Sequence, residues 1–176
     1  MLPSLCTVAE AAELGYTVSA PDLARASARM RGYSGQTITD SSSTISARAG
    51  AIVLPQQPAR AVTAITRGDE TITDFELAGQ ILNIGHCRIG EPVTVTYTHG
   101  FLTVPDELKD LCASIAARLA ALPTGAAAGV QSESGGNESV TYGFDAFRGV
   151  ADLVTAEKDR LARFFPPLPG VIALRP

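Results

Sequence analysis

Residue types that carry chemistry are scarce in this sequence. The 176-residue chain has no Trp, only two His and only three Cys, and the Cys and His residues are scattered. A zinc site usually needs four such ligands at short spacings, and the adjacent His86 and Cys87 would point to opposite faces of a strand. We therefore expect no metal site, no cofactor and no catalytic residue, and we interpret His99 as a hydrogen-bonded residue at a strand–helix junction.

Long apolar runs and an excess of basic residues are also absent. Spanning a membrane takes about 18 apolar residues, and the N-terminal residues lack the basic and apolar regions of a signal peptide. The net charge is −4, whereas proteins that grip nucleic acid usually carry a basic excess or stripe. We expect a soluble protein made inside the cell, without membrane contact or high-affinity DNA binding. Passage of DNA through a mildly acidic channel is compatible with this charge.

The first 32 residues have the pattern of two short helices. Thr7, with Glu10 three residues later, forms a capping box for the first helix, and Gly15 supplies its stop. Residues 19–22 open the second helix, with a proline in its first turn. A polar residue, Ser27, lies beside the apolar stripe of this second helix and keeps it narrow. The stripe consists of Leu23, Ala26 and Met30.

Between residues 36 and 101 the periodicity changes to that of β-strands. Valine and tyrosine alternate with threonine over residues 93–98, which is typical of a half-buried strand. Short segments rich in β-branched residues, separated by turn residues, predict a small antiparallel module of six or seven strands. The predicted strand segments are residues 37–39, 44–46, 51–54, 61–65, 71–73, 80–84 and 93–97. The predicted turns are residues 40–43, 55–58, 67–69 and 89–92.

The helical pattern returns after residue 104. A proline and two acids at 105–107 begin a helix, whose apolar stripe continues to Leu122 before Pro123 stops it, giving about 18 residues and a length of about 27 Å. Residues 125–143, rich in Gly, Ala, Ser and Asn, are predicted to be a loop. A final helix begins with Thr155 as its cap, or earlier near Val150, and the prolines that follow residue 165 end it.

This order of elements predicts an α+β fold. The helical core has two short N-terminal helices, one long central helix and one C-terminal helix, and it carries an inserted antiparallel β module. We predict a single domain over residues 1–165, with the insertion at about 36–101. An extended, Pro-rich C-terminal tail over residues 166–176 follows it.

Several motifs occur in a fixed order over residues 50–165. Residues 93–101 read VTVTYTHGF and residues 104–109 read VPDELK, so that a V-x-V-x-Y-x-x-G strand leads through a short turn and Val-Pro into a long helix. Leu54-Pro55 and Pro58 precede a strand, and residues 131–142 follow the long helix. This series resembles the head–tail connector (adaptor) family of long-tailed bacteriophages, whose closing helix is similar to residues 153–164.

The resemblance implies a structural role without bond chemistry. Such subunits form a ring, usually of twelve, beneath the portal protein at the capsid vertex. The ring extends the DNA channel and presents a surface to the next neck protein, a stopper or tail-completion protein. The chain is then expected in the neck of the virion, and in the host cytoplasm during assembly. In related adaptors the C-terminal segment docks onto the portal, which implies portal contacts by Phe164, Phe165, Leu168, Val171, Ile172 and Leu174. For the two Phe residues, ordinary core packing is the alternative.

Three other functions fit parts of the sequence. A stopper or tail-completion protein of the same neck would be mainly a β-barrel, so helical content separates it from an adaptor. A small cytoplasmic enzyme would have a deep pocket with perturbed titratable groups around His86 or His99. A binding module unrelated to phages would use the β insertion for recognition and would be a monomer indifferent to any portal.

Overall fold

The computed structural model describes residues 2–85, 87–121, 132–135, 138–141 and 153–166. Within these residues it has four helices and antiparallel sheets, which confirms the predicted α+β class. The chain forms two compact units. The first, called here the helical unit, contains Met1–Ser34 and Pro105–Phe164, and the second, the β unit, contains Gly35–Val104 and the residues from Phe165 on. No helix within the described ranges is long and apolar enough to cross a membrane.

The first helix, α1, spans Val8–Glu13 and has the predicted capping box. The Thr7 hydroxyl accepts a hydrogen bond from the Glu10 amide at 3.2 Å, and the Glu10 carboxylate accepts one from the Thr7 amide at 2.8 Å. These two bonds satisfy N–H groups that a helix start otherwise leaves without partners. Gly15, with φ of +88°, follows the C-terminal end of the helix. The sequence therefore predicted both ends of this helix correctly.

The second helix, α2, spans Ala20–Ser34, so it begins within the predicted opening at residues 19–22. Its predicted stripe is buried, but Ser27 is buried as well, at 1% exposure, so the prediction that it lies beside the buried face is wrong. The Ser27 hydroxyl donates to the Leu23 carbonyl at 2.7 Å and accepts from the Leu5 amide at 2.9 Å. A hydroxyl with both roles filled can be buried at little cost.

The third helix, α3, spans Asp106–Ala120 and is the central helix of the helical unit. Its predicted stripe is buried as far as Ala116. The helix has 15 residues rather than about 18, since it ends at Ala120 with Ala121 as its C-cap residue. The buried stripe residues are Leu108, Leu111, Cys112, Ile115 and Ala116.

The fourth helix, α4, spans Thr155–Phe164. Thr155 is the first helical residue, so its predicted role as the cap is wrong, and Leu153 and Val154 are not helical, which excludes a start near Val150. The Glu157 carboxylate instead accepts from the Val154 amide at 2.9 Å. A Glu at this position also suits the positive end of the helix dipole.

A β-hairpin occupies part of the segment that was predicted to be a loop at residues 125–143. Its strands, β8 (Ser132–Gly135) and β9 (Glu138–Thr141), pair antiparallel. The strands were not predicted because Gly, Ser and Glu give no strand pattern in the sequence. The two residues between the strands, Gly-Asn, are nevertheless a pair that short hairpin turns favour. The rest of the segment lies outside the described residues.

The described part of the β unit contains seven strands in two sheets. One has the order β1-β7-β3-β4 and the other β2-β6-β5, with antiparallel pairing throughout. Their inner faces share one hydrophobic core, in which Leu54, Ile65, Leu82, Val95 and Tyr97 are fully buried. The strands are β1 (Ser41–Arg48), β2 (Ala51–Val53), β3 (Ala59–Arg67), β4 (Glu70–Thr71), β5 (Phe75–Ala78), β6 (Ile81–Ile84) and β7 (Pro92–His99).

Three local predictions in the β unit are wrong. Residues 37–39 form no strand: Ile38 has φ of +69°, and only a single bridge joins Thr39 to Phe101. Residues 41–43 belong to β1 rather than to a turn, and β5 was missed. Serine has a low intrinsic strand preference, but pairing over eight positions with β7 overrides it.

Candidate functional site

The C-terminal end of α4 carries the first of the predicted portal-binding residues. Phe164 is half-buried and belongs to the helical unit, where it lines a small cavity of about 190 Å³ with Leu111, Arg160 and two other residues. Phe165 belongs to the β unit, where its ring meets Phe101 edge-on at a centroid distance of 6.2 Å. The remaining predicted residues, Leu168, Val171, Ile172 and Leu174, lie outside the described residues.

The carbonyl of Pro166 accepts a hydrogen bond from the side-chain amide of Gln57 at 3.1 Å. Together with the Phe165–Phe101 contact, this bond attaches the start of the C-terminal segment to the β unit. Phe165 therefore has an intramolecular packing partner, as the core-packing alternative expected. Its predicted contact with a portal stays a prediction.

Two ion-pair clusters fix α4 to α3 within the helical unit. Arg160 binds Asp110 at 2.7 Å, and the same carboxylate accepts from the Tyr16 hydroxyl at 3.0 Å. The hydrogen bond from Arg160 holds the pKa of Asp110 below its usual value, while that carboxylate raises the pKa of Tyr16. Arg118 contacts both carboxylate oxygens of Glu157, at 3.1 and 2.9 Å. The first turn and the middle of α4 are thus held in a defined position on α3.

The strand–turn–helix motif at residues 93–109 is explained by close packing in the β unit. Tyr97 is fully buried, and its hydroxyl accepts from the Gln56 amide at 3.1 Å. Gly100 has φ of +80°, and a side chain there would put its Cβ 2.2 Å from the Thr39 carbonyl oxygen. Any other residue would therefore collide with backbone. Packing and close backbone contact therefore account for the Tyr and the Gly of this motif without a catalytic role.

His99 is a buried structural residue rather than an exposed base. Its ring is fully buried, lies 5.3 Å from the Tyr97 ring, and is hydrogen-bonded through Nε2 to the Ser43 hydroxyl at 2.8 Å. Burial lowers the pKa of His99, against a smaller opposing effect of Asp40. In the described chain no carboxylate is hydrogen-bonded to Nδ1, so no third residue orients the ring toward the serine. The predicted hydrogen-bonded junction role is confirmed, and His86 lies outside the described residues.

The outer face of the four-stranded sheet is covered by hydroxyl groups. The Thr44 and Thr96 hydroxyls are 2.9 Å apart, Thr63 donates to the Thr96 carbonyl at 3.0 Å, and Thr98 donates to the Ala61 carbonyl at 3.3 Å. These hydroxyls are therefore already bonded within the sheet, and β1 adds a charge to this face at its end, Arg48. At one edge of this sheet lies the eight-residue β1, and at the other the two-residue β4.

Comparison with protein-family models and with curated proteins finds no match. Solved structures do match. A chain in the neck of the native GTA (gene transfer agent, a phage-like particle) computed with C12 symmetry has a TM-score of 0.51 and 17% identity, covering 88% of this chain and 96% of that one. A chain in the neck of the empty GTA particle computed with C6 symmetry has a TM-score of 0.51 and 16% identity, covering 88% and 93%. This protein shares the fold of those neck chains over nearly their whole length.

Proposed function

We propose that this protein is a structural, non-enzymatic subunit of the neck of a tailed phage or phage-like particle, and specifically its head-to-tail adaptor. The observation that carries the proposal is the fold shared with GTA neck chains, which extends over 88% of this chain and 96% of the matched one. The motif series over residues 50–165, which resembles the adaptor family, supports the same conclusion independently of the structural comparison.

The helical unit favours an adaptor over a stopper. Stoppers were expected to be mainly β-barrels, whereas here α2 and α3 each contribute 15 residues to a helical unit with its own buried face. The enzyme alternative would need an accessible, perturbed group, and His99 is enclosed. In the binding-module alternative the chain is a monomer, which the assembly experiments below distinguish from a ring subunit.

The proposed assembly is a ring, usually of twelve copies, beneath the portal. The matched neck structures were computed with C12 and C6 symmetry, which supports this arrangement by analogy. The ring would extend the DNA channel and contact a stopper or tail-completion protein on its other side. The net charge of −4 favours passage of DNA over tight binding.

The proposed portal contact is the segment from Phe164 to Pro176. The contacts of Phe165 and Pro166 with the β unit give this segment a fixed starting point. Prolines at 166, 167, 169 and 176 restrict the backbone, so less conformational entropy is lost on docking than for a flexible tail. Leu168, Val171, Ile172 and Leu174 supply apolar side chains for the contact.

The test is co-sedimentation of the purified chain with the portal ring encoded beside it, using the full chain and a variant that ends at Pro166. This truncation retains the contacts of Phe165 and Pro166, and circular dichroism checks that it folds. We expect saturable binding by the full chain and its loss in the variant. Binding by the truncated chain would reject the tail as the portal contact. Failure of the folded full chain to bind would reject the adaptor role.

A further inference from the structure

The strand β1 is an open sheet edge of unusual length for this protein. It pairs with β7 along one side, and within the described ranges no strand pairs with its other side. The other edge strands of the β unit are short: β4 has two residues, β2 has three and β5 has four. β1 therefore presents the longest row of backbone N–H and C=O groups available for a further strand.

The edge of β1 lacks the features that usually prevent pairing. Proteins protect exposed edges with proline, inward-pointing charges or bulges. β1 reads SSSTISAR, so it has no proline, and Arg48 at its end is its single charged residue. Its pairing with β7 is continuous over all eight positions. Ile45 and Ala47, on its inner side, are only partly buried against the core, and an added strand would cover them further.

The hairpin formed by β8 and β9 lacks the further strand that such a structure usually needs. In the described part of the chain its two strands pair only with each other. A two-stranded hairpin is at best marginally stable in water and usually needs a third strand or a packed face. The charged residues of its strands are both acidic, Glu133 and Glu138. The hairpin thus offers two open edges and a charge opposite to that of Arg48.

We propose that the β8–β9 hairpin of one copy adds to the β1 edge of the next copy, so that neighbouring subunits share a continuous sheet. β9 is the favoured donor strand, since it contains Val140 and Thr141, whereas β8 ends in Gly135. Because the two contacting surfaces differ, the contact is heterologous and can close a ring. The inference rests on the proposed function for the choice of a neighbouring copy as the partner.

Crosslinking between differently labelled copies tests this pairing. In a Cys87→Ser background, the remaining cysteines, Cys6 and Cys112, are buried at 1% and 0% exposure and should not react. One copy carries Thr44→Cys on β1 and the other carries a cysteine in β9, and a short bifunctional maleimide joins them. Two β9 variants, Ser139→Cys and Val140→Cys, sample both faces of the strand, because neighbouring residues point in opposite directions.

The matched control is Thr71→Cys on β4, an exposed position at the opposite edge of the same sheet, about 14 Å away across three strand spacings. We expect a product joining two chains from the Thr44→Cys mixture and none from the Thr71→Cys mixture. A further variant carries both cysteines in one chain; a crosslink within that chain, together with none between chains in the mixture, would overturn the pairing between copies. A ring that binds the portal but gives no crosslink would overturn this inference alone. A chain that neither forms a ring nor binds the portal would overturn the proposed function too.

A charge exchange provides a second readout. Arg48→Glu should weaken assembly at low salt, since it places like charges together, although it also removes the bond of Arg48 to the Gly90 carbonyl. Adding Glu133→Lys and Glu138→Lys should restore assembly. If Arg48→Glu acted only by removing the bond to Gly90, these two added substitutions would not restore it. Failure of this restoration in folded variants would count against the pairing.

Discussion

Substitution of Gly100 by Ala is the most discriminating test of the packing at the strand–helix junction. The new Cβ would lie 2.2 Å from the Thr39 carbonyl oxygen, 2.7 Å from its carbon and 3.0 Å from the Ile38 oxygen, all backbone atoms. Relief of the collision would separate Phe101 from Ile38 and Asp40, whose backbone hydrogen bonds to it measure 2.8 and 2.9 Å. A side chain at this position should therefore lower the free energy of unfolding.

The magnitude follows from three contributions. A left-handed non-glycine residue costs about 1–2 kcal/mol, overpacking adds typically about 1–3 kcal/mol, and each lost backbone hydrogen bond adds about 1 kcal/mol. With both hydrogen bonds of Phe101 lost, we expect Gly100→Ala to reduce the free energy of unfolding by about 4–7 kcal/mol. The control is Gly90→Ala, at φ of +90° with no atom within 4 Å of the added Cβ, where only the conformational cost of about 1–2 kcal/mol applies.

Urea unfolding followed by circular dichroism measures both variants, since the chain has no Trp to report by fluorescence. The expected result is a clearly lower midpoint for Gly100→Ala than for Gly90→Ala. Equal losses in the two variants would refute the steric argument. They would show that the left-handed backbone alone explains the glycine of this motif.

Three further predictions concern buried or paired polar groups. Ser27→Ala leaves the Leu5 amide without its partner and should cost about 1–3 kcal/mol in urea unfolding; an unchanged midpoint would contradict this. The pKa of Glu10 is lowered from 4.5 to about 2, chiefly by the hydrogen bond from Lys109. The stabilisation by the ionised Glu10 carboxylate is complete above pH 4.5 and is lost toward pH 2. Glu10→Gln should therefore flatten the dependence of the unfolding free energy on pH between these values. An unaltered slope would contradict this prediction. The pKa of His99 is lowered by burial from 6.5, so this residue should lower stability as pH falls below 6.5, and ring NMR should place its titration below that value rather than at or above it.

Local rules predicted the elements whose ends and faces are encoded by neighbouring residues. The capping box of Thr7 and Glu10 gave the start of α1, and the alternation around Val95 identified β7 as half-buried. The spacing of apolar residues in α3 identified the face that is buried. These features depend on interactions within a few residues, so the sequence alone specifies them.

Features that depend on distant partners could not be read in this way. β1 is a strand because of its pairing with β7, about fifty residues away in sequence, and its serines gave no local signal. Ser27 is buried because the Leu5 amide needs an acceptor, 22 residues earlier. The predicted site shows the same limit: the apolar character of Phe165 was evident, but its contact with Phe101 depends on the folded chain.

The most direct test of the adaptor role is the native mass of the complex between this chain and the portal ring encoded beside it. Our account predicts one copy of this protein for each portal subunit, bound as a closed ring. A folded chain that leaves the mass of the portal ring unchanged would contradict that role. A fixed stoichiometry other than one to one would contradict the proposed arrangement of the ring.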